Sequence, residues 1–130
     1  MPTLTITDQT TFEREPQTLT LDFLTEIVTV REIIRSRVYE EVRQYNARKS
    51  GLFRGLVQPT DAEVALNGFK LRKPRQINWE EQYASALESF QANGFLLLVN
   101  DRQVDDLDEL VRLKSDANIV FIKLFPLVGG

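Results

Sequence analysis

The chain has 130 residues, of which 42% are hydrophobic, so it can bury one sizeable core and we expect a single domain. Its 16 basic and 19 acidic residues give a net charge of -3, which does not favour nucleic acid or an anionic membrane as a partner. Cysteine and histidine are both absent, which excludes disulfides, thiolate nucleophiles and the usual proton shuttle near neutral pH. The apolar run "FLLLV" is far too short to span a bilayer, and we expect a cytoplasmic protein.

The first part of the chain predicts a hairpin followed by one long helix. "TLTITD" (3–8) and "QTLTLDF" (17–23) alternate apolar and polar residues, as antiparallel strands with one buried face do. Thr29 then precedes a run in which apolar residues recur at helical spacing, and Glu32 stands where a capping box requires it. The charged residues of this helix are expected on a solvated outer face: Arg31, Arg35, Arg37, Glu40, Glu41 and Arg43.

The middle of the chain, about residues 49–93, predicts a helical insertion. "TDAEVALNG" (60–68) has capping-box spacing and closes with a glycine, which indicates a short helix. "NWEEQYASALESFQANG" opens with Asn78 as a helix cap and stops at Gly94. The apolar face of this second helix is expected to consist of Trp79, Tyr83, Leu87 and Phe90.

Beyond Gly94 the pattern returns to strands. "FLLLVN" predicts a strand covered on both faces, and Asn100 with Asp101 offers a turn. "RQVDDLDELVRL" (102–113) predicts a short strand and then a short helix with an acidic first turn. "NIVFIKLF" (118–125) predicts a final strand, after which the chain reaches two glycines.

Without the insertion, the predicted order is β, β, α, β, short segment, β, and this order resembles the β-grasp fold of ubiquitin-like proteins. "LLLVNDRQVDDLDEL" is similar to the ubiquitin segment in which a hydrophobic strand passes a tight turn, and "LFPLVGG" resembles the strand extension that ends in Gly-Gly. The resemblance covers residues 1–48 and 94–130. It implies an α+β fold, with a mixed sheet packed on one long helix, in a single domain 1–130 that carries the insertion.

The resemblance implies that the carboxylate of Gly130 is the reactive group. An E1-like adenylating enzyme would use ATP to attach AMP to it, so the chain itself would be no enzyme and would bind no cofactor or metal. Gly129 would thread the enzyme's channel, because a residue without Cβ passes a narrow site in extended form. Tail recognition is expected at Pro126, Leu127 and Val128. Ubiquitin-type tails carry arginines here, so an enzyme that reads basic tail positions should not accept this one.

The activated carboxyl group has two possible fates under this resemblance. It can form an isopeptide bond to a lysine of a target protein, with an E2-like conjugating enzyme and a JAB-type metalloprotease as further partners. It can instead become the thiocarboxylate of a sulfur carrier. A third hypothesis is a non-covalent interaction or scaffold module whose tail has no chemistry. For non-covalent recognition, the resemblance places Leu98 and Leu124 near an apolar surface of the sheet.

Other candidate sites have simpler structural interpretations. The basic residues of the insertion could meet a phosphate backbone or an acidic partner, but a solvated loop explains them; they are Lys70, Arg72, Lys73 and Arg75. Four acidic residues could hold Ca²⁺ or Mg²⁺, but acids at a helix start are favoured by its dipole without a metal; they are Asp105, Asp106, Asp108 and Glu109. Trp79 is interpreted as a core residue rather than a binding anchor.

Overall fold

The computed structural model has mixed α+β architecture. It describes residues 3–10, 17–23, 25–48, 52–53, 55–65, 68–72, 75–114 and 117–123. Within these ranges the elements in chain order are β1 (Thr3–Thr10), β2 (Gln17–Asp22), β3 (Ile27–Thr29), α1 (Val30–Arg48), β4 (Ala62–Ala65), β5 (Gly68–Leu71), α2 (Trp79–Gln91), β6 (Phe95–Val99), β7 (Arg102–Val104), β8 (Leu110–Arg112) and β9 (Ile119–Lys123).

Five of these strands form one mixed sheet in the order β2, β1, β9, β6, β7. β1 and β9 run parallel, with Ile6 opposite Ile119, and the other neighbouring pairs are antiparallel. The predicted hairpin of β1 and β2 is confirmed, with Leu4 opposite Leu21. The last strand therefore lies in the middle of the sheet, between the first strand and β6.

The long helix α1 and the sheet bury their apolar sides in one contiguous cluster. Ile33, Ile34 and Val38 are completely inaccessible to solvent, as their helical spacing predicts. The predicted cap is also present, because the backbone amide of Glu32 donates a hydrogen bond to the Thr29 hydroxyl oxygen over 3.1 Å. Local sequence pattern therefore sets where this helix begins and which side it buries.

The second helix, α2, packs against α1 and is capped as predicted. The Asn78 side-chain oxygen accepts hydrogen bonds from the backbone amides of Glu80 and Glu81, at 2.9 and 3.2 Å. The helix stops before Gly94, although the left-handed residue at its end is Asn93, with φ of 61°. Its fully buried positions are Gln82, Ala86 and Phe90, and the predicted face residues Trp79, Tyr83 and Leu87 are only half-buried.

The helix predicted over residues 60–68 is wrong, because this segment enters an antiparallel hairpin of β4 and β5. Asp61 has a left-handed φ of 58°, which prevents a helix from continuing through it. Phe53 then pairs with Phe69 through two backbone hydrogen bonds of 2.8 and 2.9 Å. The pairing with Phe53, which lies outside this segment, therefore decides its structure, although the capping-box spacing predicted a helix.

The short helix predicted within residues 102–113 is also wrong. After β7 the chain turns and then forms β8, whose Val111 lies opposite Val28 of β3. The backbone carbonyls of Leu107 and Glu109 accept hydrogen bonds from the first residues of α1, at 2.9 and 3.0 Å. Because these two carbonyls accept hydrogen bonds from the N-terminal amides of α1, the segment stays in turns and does not form a helix.

No helix in the described part of the chain combines the length and the apolar character needed to cross a membrane.

Candidate functional site

The residues predicted to carry the chemistry lie outside the described ranges. These residues are Gly130, Gly129, Val128, Leu127 and Pro126, together with the predicted recognition residue Leu124. The last described residue is Lys123, at the end of the central strand β9. Seven residues follow it, and a chain of that length spans at most about 25 Å when fully extended. The central strand therefore fixes the point from which the predicted reactive end begins.

The sheet face turned away from α1 carries a row of aliphatic side chains on β6 and β9. Leu96 lies opposite Ile122, and Leu98 lies opposite Val120. Successive side chains of a strand alternate between faces, and the intervening residue Leu97 is completely buried on the helix side. Leu98 is half-buried on the outer face of the sheet, and its expected role in recognition stays a prediction.

We define the outer patch as Leu96, Leu98, Val120 and Ile122. Three of its members are half-buried, and Val120 is buried. Helix α2 packs chiefly on α1 and only slightly on β6. A row of partly exposed aliphatic side chains is a candidate surface for contact with another protein.

An ion pair lies inside the molecule, where the sequence analysis expected a solvated face. The Arg37 Nε donates to the Glu41 Oε2 over 3.1 Å, and these residues are only 1% and 7% exposed. The second carboxylate oxygen accepts a hydrogen bond from the Leu56 backbone amide over 3.2 Å, and the guanidinium lies 4.5 Å from the Phe121 ring centre. The predicted outer face is therefore wrong at these two positions, because Phe121 of the sheet covers Arg37 and Leu56 of the insertion bonds to Glu41.

Sequence reasoning missed this pair because charged residues one position away from an apolar stripe normally stay in water. Arg37 and Glu41 directly precede Val38 and Val42, which belong to the predicted buried side. The i,i+4 spacing of opposite charges was present, but it is equally typical of an exposed salt bridge. No local signal distinguishes the two cases.

The remaining charged residues of α1 match the prediction of a solvated surface. Arg43 donates to Glu40 over 3.1 Å, and both side chains lie at the protein surface. The hydrogen bond from Arg43 lowers the pKa of the Glu40 carboxyl below its ordinary value, against a smaller opposite effect of burial. This pair supports the helix locally and offers no reactive group.

Trp79 belongs to an aromatic cluster between the two helices. Its ring meets Tyr39 edge to face at a centroid distance of 5.4 Å, and it lies 6.3 Å from Tyr83. The Arg35 guanidinium stands 5.1 Å from the centre of the Trp79 ring. Trp79 is half-buried and packs against the core, so the expected core role is only partly confirmed.

The acidic cluster of residues 105–109 is used in ion pairs with neighbouring elements. Asp108 lies 3.3 Å from Arg31 of α1, and Glu109 pairs with Arg102 of β7. The hydrogen bond with Glu109 raises the pKa of the Arg102 guanidinium. Because the segment forms no helix, the dipole interpretation of these acids is wrong. No group of three or more metal-ligating side chains comes together within the described ranges.

The basic residues of the insertion are exposed, as predicted for a solvated segment. Arg72 lies 3.7 Å from Glu63 across the β4–β5 hairpin, and Arg75 donates to the backbone carbonyl of Thr60. Lys70 is exposed on the same hairpin, and Lys73 lies outside the described residues. Part of this positive charge is therefore neutralised locally among the described residues.

Comparison with known proteins gives no match. The chain fits no protein-family model, and it is not significantly similar to any curated protein or solved structure.

Proposed function

We propose that this chain is a ubiquitin-like protein modifier with a β-grasp fold, activated at the carboxylate of Gly130 and joined to lysines of target proteins. The observation that carries the proposal is the position of β9 in the middle of the mixed sheet, beside and parallel to β1. The parallel pairing of β1 with β9 supports the resemblance on which the proposal is based. A tail that begins at a central strand can be presented by a rigid body to another protein's active site.

The proposed reaction uses only the terminal carboxylate of this chain. A carboxylate oxygen of Gly130 attacks the α-phosphorus of ATP and displaces pyrophosphate, which gives an acyl-adenylate. A thiolate of the activating enzyme then attacks the acyl carbon and releases AMP, forming a thioester. A lysine amine of the target attacks the thioester, loses a proton and releases the thiol, which leaves an isopeptide bond. The thiols and the ATP site belong to the partners, since this chain has no cysteine.

Two glycines suit this chemistry at the reacting end. Without Cβ atoms, Gly129 and Gly130 can adopt extended or left-handed backbone angles and leave the acyl carbon open to a nucleophile. The outer patch, defined above, gives the activating or conjugating enzyme an apolar surface on the same sheet from which the tail starts. Non-covalent docking there would place the tail within reach of the active site.

Mass spectrometry of the protein from its native host tests this function. The intact mass first establishes whether the mature chain ends at Gly130, which the proposal requires. Trypsin cleaves after Lys123, so a conjugated target lysine would carry the branch "LFPLVGG". We expect this branch with the wild-type protein and its loss when Gly130 is deleted. Ser85→Ala, an exposed change on α2, is the matched control and should keep the branch.

The other hypotheses predict different results in the same experiment. Replacement of one terminal oxygen by sulfur in the intact mass would identify a sulfur carrier instead of a modifier. If neither the branch nor the sulfur appears in cells that express adenylating partners, the tail has no such chemistry and the scaffold hypothesis gains support. The Gly130 deletion should unfold at the same urea concentration as the wild type, so that loss of the branch cannot be attributed to misfolding.

A further inference from the structure

The ribbon formed by β3 and β8 has one free edge. Val30 donates to the Glu109 carbonyl at one end of the ribbon, and Leu113 donates to the Glu26 carbonyl at the other. In an antiparallel pair, positions that exchange hydrogen bonds alternate with positions that do not. With Val28 opposite Val111, the backbone groups of Leu110 and Arg112 must therefore point away from β3.

These outward backbone groups of β8 have no partner within the described ranges. The hydrogen bonds outside the regular elements include none from the amide or carbonyl of Leu110 or Arg112. At the other edge of the ribbon, the Ile27 carbonyl already accepts a hydrogen bond from the Thr25 hydroxyl, and Thr29 leads directly into α1. β8 offers two N–H and two C=O groups in extended geometry.

The side chains beside this edge are unusual for a solvent-exposed ribbon. Val28 and Val111 are buried on the inner face, so Ile27 and Leu110 share the outer face, where they are 48% and 67% exposed. Large apolar side chains that stay exposed together at an open strand edge are the features used in strand addition. Arg112 lies opposite Ile27 on this same face.

The charge along this edge is positive. Arg112 and Lys114 are both exposed, and neither forms an ion pair with any residue that the structure describes. Two copies of β8 paired edge to edge would bring these cations close together, which disfavours a second copy of the chain as the occupant. A segment with carboxylates at the facing positions would pair with them.

We propose that the free edge of β8 takes up an extended segment of a partner protein as an added strand. The segment carries an aliphatic side chain that packs on Ile27 and Leu110, and carboxylates that face Arg112 and Lys114. Backbone hydrogen bonds to Leu110 and Arg112 fix its direction, and the alternating side chains fix its register. This surface goes beyond the proposed function, because it involves no tail residue and stands whether or not Gly130 is activated.

Titration of the ¹⁵N-labelled full chain with short peptides tests the proposal by NMR. The probes are the blocked peptides Val-Thr-Glu-Thr-Glu and Glu-Thr-Glu-Thr-Val, one for each strand direction, with controls in which both glutamates are lysines. We expect one glutamate probe to shift the amide signals of Leu110 and Arg112 saturably and to slow their hydrogen exchange. Arg112→Glu should weaken binding by roughly tenfold, because like charges then face each other.

A pair of variants separates strand addition from side-chain contact. Leu110→Pro removes the outward N–H without removing a hydrogen bond to β3, whereas Leu110→Ala removes only the side chain. We expect Leu110→Pro to abolish binding and Leu110→Ala to weaken it. If Leu110→Pro does not fold, the slowed exchange of the wild-type amides decides the question.

Several results would overturn the proposal. The amide signals of Leu110 and Arg112 could stay unchanged with both glutamate probes, or the lysine probes could bind as tightly as the glutamate probes. The two Leu110 variants could lose the same amount of binding affinity. Shifts of these amide signals with protein concentration, in the absence of peptide, would indicate self-association.

Discussion

Arg37 and Glu41 carry opposite charges inside the apolar layer between α1 and the central sheet. Removing a charge from water costs several kcal/mol, and the cost is recovered only when a partner and further hydrogen bonds compensate it. Here the two side chains bond to each other, the Leu56 amide supplies a further hydrogen bond, and the Phe121 ring covers the guanidinium. These contacts tie the long helix to the insertion and to the last described strand.

We predict that Glu41→Leu alone lowers the free energy of unfolding by about 3–5 kcal/mol, because it removes the Glu41 carboxylate from the buried Arg37 guanidinium. The double variant Arg37→Met with Glu41→Leu should recover most of this loss, since both desolvation costs disappear together. Urea-induced unfolding at neutral pH measures the free energies of the wild type, the single variants Arg37→Met and Glu41→Leu, and the double variant. Glu40→Leu on the same helix is the control and should have a much smaller effect. A double variant as unstable as the sum of the two single variants would contradict this account.

At the scale of single elements, the hairpin of β6 and β7 depends on its two-residue turn. Asn100 and Asp101 have φ values of 51° and 67°, so both occupy the left-handed region. Two consecutive left-handed residues form the turn type that matches the twist of antiparallel strands. The Asn100 side chain also accepts a hydrogen bond from the Asn118 amide over 2.9 Å. The turn that the sequence predicts is confirmed, and its geometry explains the choice of Asn and Asp.

We predict that Asp101→Val is less stable than Asp101→Gly by about 1–2 kcal/mol, because a β-branched residue resists the left-handed region and glycine does not. Thermal unfolding of the two variants measures the difference. The same two substitutions at Asp105 provide the control. This residue is equally exposed but has no positive φ, so valine should there be at least as stable as glycine. The same order at both positions would show that backbone conformation is not the cause.

The two mispredicted helices show how much element type depends on distant partners. Residues 62–65 and 68–71 pair as strands because Phe69 pairs with Phe53, and residues 110–112 form a strand because Val111 pairs with Val28. In both segments the local pattern allowed a short helix. Short helices are marginal by themselves, so one favourable pairing is enough to replace them.

At the scale of the whole molecule, the insertion and the two outer segments share one core. Phe53 and Phe90 belong to the same contiguous hydrophobic cluster as Ile33 and Phe121. Asn46 of α1 also exchanges two hydrogen bonds with Ile77 of the insertion. The insertion therefore contributes side chains to the same core as the outer segments.

We predict that the protein unfolds in one cooperative transition. Trp79 is the only tryptophan and lies in α2, so its fluorescence reports on the insertion, while far-ultraviolet circular dichroism reports on the whole chain. The two signals should give the same urea midpoint and slope, because one core unfolds as one unit. Trp79→Phe, followed by circular dichroism alone, checks that the probe residue does not itself set the midpoint. An earlier fluorescence midpoint would show that the insertion unfolds independently, contrary to the predicted single domain.

The candidate site could be predicted in part. Leu98 lies half-buried on the outer face of the sheet, and its role in recognition stays a prediction. Val120 and Ile122 share that face because side chains alternate along β9. The free edge of β8 had no sequence signal, since its existence depends on pairing with β3 and on which backbone groups that pairing leaves outward. The sequence shows the periodicity of side chains, whereas an open edge depends on which backbone N–H and C=O groups are hydrogen-bonded to another strand.

The sequence by itself determined the elements that depend on local residue patterns. They are the first hairpin, both capped helices, the Asn100–Asp101 turn and the apolar final strand. These follow from residue spacing, capping side chains and turn residues within a few positions of each other. Tertiary structure decided that β9 lies between β1 and β6, that residues 62–65, 68–71 and 110–112 become strands, and that Arg37 and Glu41 are buried. Each of these features depends on contacts between distant segments. Burial and strand pairing stabilise them by more free energy than local secondary-structure propensity contributes.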